Sequence, residues 1–203
     1  MVLKNPVMVS SGTFGFGEEF EDFLDLNQLG AIISKGISLK PMMGNLPPRI
    51  FETEGGLINS IGLQNPGFQE FIKNKLPYYR HLKTHLIVNF FGNTQRDYIE
   101  LAKRFDGIPN ISGLEMNISC PNIKKGGIAF GADPQMAFHL VRAVRKATKT
   151  TLIVKLSPNV TDIALMAKSA EEGGADAVSL VNTFRAMAIN IHSKKPELGN
   201  IIG

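Results

Sequence analysis

Cysteine is almost missing from this chain: one among 203 residues, at position 120. No internal disulfide can form, and a reducing compartment is expected. Long apolar runs are also lacking, since none approaches the roughly 18 residues that a membrane span requires. The opening MVLKNPVMVSSG does not carry the ordered basic and apolar regions of a secretory signal, so a cytoplasmic location is expected. The four histidines, His81, His85, His139 and His192, form no i, i+4 pair and no cluster with Cys, Asp or Glu at ligand spacing, so no metal site is expected. Charge of one sign is not concentrated either. The formal net charge is +4, but Lys and Arg are scattered singly, and the densest runs, SKKP and IKKGG, read as solvated loop surface. Nucleic acid would need a continuous basic stripe.

What is present is a globular composition, 43% hydrophobic and 20% charged, at a length that suits one domain. Six short runs read as strands: 6–11 (PVMVSS), 31–36 (AIISKG), 86–92 (LIVNFFG), 113–119 (GLEMNIS), 151–157 (TLIVKLS) and 176–182 (DAVSLVN). All are nearly continuous in Val, Ile, Leu and Met, as in parallel strands buried on both faces. Helix signals lie between them. Thr94 opens a capping box, TQRD, ahead of Tyr98, Leu101, Ala102 and Phe105 on one face. Asp133 and Pro134 read as N-cap and first helical residue, leading Ala137, Leu140, Val141 and Val144 toward a core. Thr161 is expected to open a further helix that Gly173 closes, and two more are expected near 18–29 and 67–80. The stretch 37–66 is too long for a simple turn and is expected to fold as a small insertion over a barrel mouth.

Strand and helix alternating in this way mean a parallel α/β fold, either an open doubly wound sheet or a (β/α)₈ TIM barrel. A barrel needs eight units and about 250 residues. With six units over 1–203, the reading is a single barrel domain lacking its final two βα units.

The strands end in polar residues. Ser10, Ser11 and Gly12 close the first, Lys35 and Gly36 the second, Asn89 the third, Asn117, Ser119 and Cys120 the fourth, Lys155 and Ser157 the fifth, Asn182 and Thr183 the sixth. In a barrel these ends converge on one mouth, where the active site sits. A lysine in an apolar strand must find a partner or lose its proton. Taken singly, Lys35 and Lys155 each read as half of an ion pair; taken with the strand-end asparagines they suggest a planar, anionic ligand with alternating donors and acceptors. Cys120 precedes a stretch with glycines at 126, 127 and 131 that suits a closing flap, and a thiol there could be nucleophile or base. No histidine in these motifs offers an acyl-transfer partner, which favours a base. The run GTFGFG does not match a dinucleotide fingerprint, and Lys35 stands where that site would place an acid.

SSGTFGFG, SKGIS, NSIGLQNPG, EMNISCPN, IVKLSPNVTDI and SLVNT occur here in the order and spacing of the class 1 dihydroorotate dehydrogenases, and the chain most resembles the NAD-linked 1B catalytic subunit. That resemblance implies an FMN-containing barrel that oxidises dihydroorotate to orotate in pyrimidine biosynthesis. It implies FMN contacts from Ser11, Lys35, Gly36, Asn89, Asn117, Lys155 and Val181. It implies substrate contacts from Lys35, Asn59, Ser60, Ile61, Gly62, Leu63, Asn117, Asn122, Asn182 and Thr183. Cys120 matches the base that removes the C5 proton while hydride passes from C6 to flavin N5. The implied partner is an electron-transfer subunit carrying FAD and a 2Fe-2S cluster, with NAD as final acceptor, around a homodimeric core in a heterotetramer. The family's Gly-Gly and Gly-Thr pairs for the FMN phosphate, on its last two strands, have no counterpart in this chain. A dihydropyrimidine dehydrogenase-like subunit and an inactive truncated barrel are the competing readings.

Overall fold

Apolar runs with Val, Ile and Leu on both faces need cover on both sides, and the chain supplies it by winding in one direction. The computed structural model describes residues 1–119 and 130–203. Along it run β1 (Met8–Val9), β2 (Ala31–Ile33), β3 (Ile50–Thr53), β4 (Gly56–Asn59), α1 (Gly67–Glu70), β5 (His85–Phe90), α2 (Gln95–Phe105), β6 (Ile111–Asn117), α3 (Pro134–Arg145), β7 (Thr151–Lys155), α4 (Ile163–Glu172), β8 (Ala177–Ser179), β9 (Ile189–Asn190) and β10 (Lys195–Pro196). The six predicted strands form one parallel sheet in the order β1-β2-β5-β6-β7-β8. A doubly wound sheet reverses its strand order midway. This one never does, so it curls as part of a TIM barrel.

The two faces differ. Ile32, Leu86, Val88, Phe90, Leu114, Met116, Leu152 and Val154 face the helices and join their buried side chains in the main core. A smaller cluster of Ala31, Ile33, Ile87 and Ile153 lies apart from it. Burying each large side chain of the main core is worth about 1.5–3 kcal/mol, so the helix side dominates stability.

Local chemistry sets the helix ends. Thr94 Oγ accepts from Asp97 N, while the Asp97 carboxylate accepts from Thr94 N and Asn93 N, the expected capping box. Tyr98, Leu101, Ala102 and Phe105 are buried on its inner face. Asp133 caps α3 by accepting from Met136 N at 2.8 Å, with Pro134 first in the helix. Two expectations need correction. The cap of α4 is Asp162, accepting from Leu165 N, rather than Thr161. Gly173 remains right-handed at φ −69°, and Gly174, at φ +104°, makes the left-handed turn.

The helix expected near 18–29 is also absent: only single 3₁₀ turns form, at Glu18–Phe20 and Leu26–Gln28. Glu18, Glu19, Glu21, Asp22 and Asp25 repel at helical spacing, and Asp25 instead takes Asn27 N in a local turn. The helix expected at 67–80 forms, as α1 continuing through a π turn over Phe71–Lys75 and a 3₁₀ segment over Leu76–His81. Within 37–66 lies the β3–β4 hairpin, joined at its base by a bridge between Met42 and Asn65.

Asp106, just past α2, ties that helix to the α3–β7 connection. Its Oδ1 accepts from Thr148 Oγ at 2.6 Å, from Lys149 N at 2.7 Å, and from Thr150 N and Oγ at 3.1 Å. The Thr148 hydroxyl first, and then the two backbone amides, favour the ionised form and lower its pKa to about 2. A depressed carboxylate contributes stability above its unfolded pKa, near ~3.9, and loses it as pH falls through the folded value. Asp106→Asn is therefore expected to lower the urea midpoint at neutral pH, with the gap to the parent narrowing between about pH 4 and pH 2; a gap constant across that range would refute this role.

Candidate active site

The carboxyl ends of the sheet strands carry two linked polar groups. In the first, Asn89 at the end of β5 is 1% exposed. Its Nδ2 donates to Ser11 Oγ at 3.2 Å and to Glu115 Oε2 at 2.5 Å. Ser11 Oγ also accepts from Lys155 Nζ at 3.0 Å. Ser179 Oγ donates to Glu115 Oε1 at 2.8 Å. In the second group, Asn117 Oδ1 accepts from Ser119 N at 3.1 Å and from Asn182 Nδ2 at 3.0 Å, while Asn182 Oδ1 accepts from Thr183 N at 2.8 Å. The groups adjoin, because Asn117 pairs in register with Lys155 across β6 and β7.

These bonds fix what each amide offers. Both Asn89 amide hydrogens are engaged, so the side chain presents Oδ1, which has no donor among the described residues. That oxygen faces Gly36, where an added Cβ would stand 2.8 Å from it and 3.1 Å from Phe91 Cδ1. Asn117 is the converse: its oxygen is engaged, and its Nδ2 has no acceptor among the described residues. One amide accepts and the other donates.

Neither strand lysine is in an ion pair among the described residues. Lys155 is 7% exposed, and its described partner is a neutral hydroxyl. Lys35 is half-buried, and its pKa is lowered by burial first and then by the Arg49 guanidinium, against a smaller opposing effect of Glu19. Among the described residues each strand lysine thus lacks a bonded countercharge. An anionic ligand would relieve both.

Val181 lines a cavity of about 170 Å³ with Ser10, Glu115, Lys155, Ser179 and Leu180. Asn59 ends β4, and Ser60, Ile61, Gly62 and Leu63 follow as a loop secured from other segments. Asn45 and Asn200 donate to Ser60 Oγ, and Asn45 N donates to Ile61 O. Gly62 has φ +75° and no room for a Cβ, which would lie 2.7 Å from Asn45. The 59–63 loop makes no hydrogen bond to the two strand-end groups among the described residues. Cys120 and Asn122 lie outside the described residues.

Two contributors escaped the sequence reading. Glu115 had a signal, since a carboxylate inside GLEMNIS is as costly as a lysine inside IVKL. Ser179 had none.

The FMN that the family resemblance implies can be tested against these residues. The Asn89 oxygen beside Gly36, the Asn117 amide and a Lys155 whose described partner is a neutral hydroxyl suit a flat ring system with a donor–acceptor edge and an electron-rich side. The residues fit the group.

A family model for dihydroorotate dehydrogenase matches residues 1–203. The catalytic subunit of dihydroorotate dehydrogenase B (NAD(+)) from Pelobacter propionicus is 57% identical over 201 residues, covering 99% of this chain and 66% of that protein. The subunit of the same name from Geobacter sulfurreducens is 55% identical over 203 residues, covering 100% of this chain and 67% of that protein. The chain therefore spans about two thirds of the length of the curated relatives it matches, 66% for the Pelobacter protein. Among solved structures, a dihydroorotate dehydrogenase from Eimeria tenella in complex with ferulenol shares 23% identity and a TM-score of 0.68, over 89% of this chain and 57% of that one, which supports the fold. A barrel sheet wound in one direction, polar strand ends that converge on one mouth and a match over the whole chain lead to one conclusion: the chain belongs to the dihydroorotate dehydrogenase family.

Proposed function

We propose that the chain is the catalytic part of an FMN-dependent enzyme that oxidises dihydroorotate to orotate. One observation supports this reading most directly: at the carboxyl ends of the strands a buried Lys155, in no ion pair among the described residues, and the Asn89 amide, whose oxygen has no donor among them, are linked through Ser11. Bound there, FMN would supply the hydride acceptor for C6 of the substrate.

The chain's own residues would do the rest. Lys35, with Arg49 behind it, would receive the substrate carboxylate. Asn117 would donate to a ring carbonyl through Nδ2, with Asn182 holding its oxygen in place. Asn122, Thr183 and the 59–63 segment would complete the pocket. Cys120, as thiolate, would take the C5 proton. A ligand without a carboxylate, such as uracil, would leave the Lys35 charge unmatched, and a site that loses a polar partner discriminates strongly.

The name shared by the relatives, an NAD-linked catalytic subunit, supports a separate electron-transfer partner. We take it to carry FAD and a 2Fe-2S cluster, to deliver electrons to NAD and to assemble on a homodimeric core in the cytoplasm. No helix among the described residues is long and apolar enough to cross a membrane.

Because a free thiol titrates near ~8.5, flavin reduction by dihydroorotate should accelerate as pH rises toward that value. Cys120→Ser should slow this step by about two orders of magnitude or more while FMN stays bound; stopped-flow flavin bleaching across pH reads both. A flat profile, with reduction at the parent rate in the serine variant, would exclude the base.

Gly36→Ala places a methyl against Asn89 Oδ1 and the Phe91 ring. It is expected to weaken FMN binding by about tenfold, equivalent to ~1.4 kcal/mol, as read by quenching of flavin fluorescence. Unchanged affinity would remove the flavin ring from the neighbourhood of Gly36 and Asn89. Displacement of dihydroorotate by orotate but not by uracil separates this reading from a dihydropyrimidine dehydrogenase-like one.

A further inference from the structure

We propose that Glu115 is a positioning residue: its buried carboxylate fixes the orientation of the Asn89 amide, so that the site presents an acceptor, and only an acceptor, at that point of the flavin pocket. The proposal rests on the flavin reading of the mouth and goes beyond it by assigning a role to a residue that touches neither cofactor nor substrate in that reading.

Glu115 is 1% exposed, in the middle of β6, with apolar Leu114 and Met116 on either side. A carboxylate in such a place is retained only where its hydrogen bonds are strong. Both oxygens are engaged: Oε1 by the Ser179 hydroxyl at 2.8 Å, and Oε2 by Asn89 Nδ2 at 2.5 Å. Neither bond involves a cation.

An ionised carboxylate can only accept. Asn89 must therefore turn its NH₂ group toward Glu115, and the second hydrogen of that group meets Ser11 Oγ at 3.2 Å. Its Oδ1 is left beside Gly36, 2.8 Å from where a Cβ would stand there. A neutral partner such as glutamine could donate or accept, and the amide would lose its enforced direction. Ser11 passes the constraint on: with its oxygen accepting from both Asn89 and Lys155, its own hydroxyl hydrogen has no acceptor among the described residues and can serve one on a ligand. Glu115, through one amide, thus sets the hydrogen-bonding polarity of two groups at the mouth.

The test compares Glu115→Gln with the parent in two measurements. The first needs no ligand: in protein carrying isotope-labelled asparagine, the Asn89 side-chain NH₂ resonances, assigned with Asn89→Ala, should shift upfield once the charge-assisted bond to Oε2 is lost. The second is FMN affinity, which should fall by about tenfold, whereas in an Asn89→Ala background the same substitution should change it by less than about twofold. Unmoved Asn89 resonances, or an equal loss of FMN affinity in both backgrounds, would overturn the proposal. If the parent chain binds no FMN, the flavin reading fails, and the resonances alone decide the role of Glu115. If Glu115→Gln does not fold, Ser179→Ala, which frees only Oε1, should move the Asn89 resonances in the same direction by a smaller amount. No movement there would equally count against it.

Discussion

Asn89, Glu115, Lys155 and Ser179 meet because their strands pair in a register that sets Asn89 opposite Glu115 and Lys155 opposite Ser179. Side chains on a strand alternate between faces, so a slip of one residue at either pairing would carry a polar group to the side filled by Leu114, Met116 and Val154. The penalty would fall twice, on the polar group buried without partners and on the apolar one turned toward the mouth. The hydrophobic side of the sheet therefore holds the chemistry of the other side in place. A large, well-packed helix interface and a small polar layer are two aspects of one pairing.

Where patterns were local, the sequence was informative. The apolar runs located all the strands of the parallel sheet, and the alternation of strand and helix narrowed the fold to two classes. Thr94 and Asp133 could be assigned as caps because each needs only a few neighbours. Errors arose where nearby groups compete. Asp162 displaced Thr161 by one position because its carboxylate is the better acceptor for the first-turn amides. The acidic stretch from Glu18 to Asp25 resists a helix that its apolar residues alone would favour. The polar residues at strand ends were legible because burial makes a lysine or an amide conspicuous. What stayed hidden was pairing: no reading of one strand reveals that Ser11 lies between Lys155 and Asn89, or that Ser179 reaches Glu115.

The polar layer also shows how neutral groups can manage buried charge. Lys155 and Glu115 are bridged by Ser11 and Asn89 rather than joined directly. A direct pair would satisfy both and offer little to a ligand. With hydroxyl and amide between them, each charge keeps part of its field directed at the mouth, and the Asn89 and Asn117 amides present opposite polarities beside it.

The bond between Ser11 and Lys155 joins residues 144 positions apart. Closing so long a stretch of chain is entropically unfavourable until the intervening strands have already docked on one another. The polar end of the sheet is thus among the last parts to be assembled, and a nascent chain cannot hold it before the whole sheet stands.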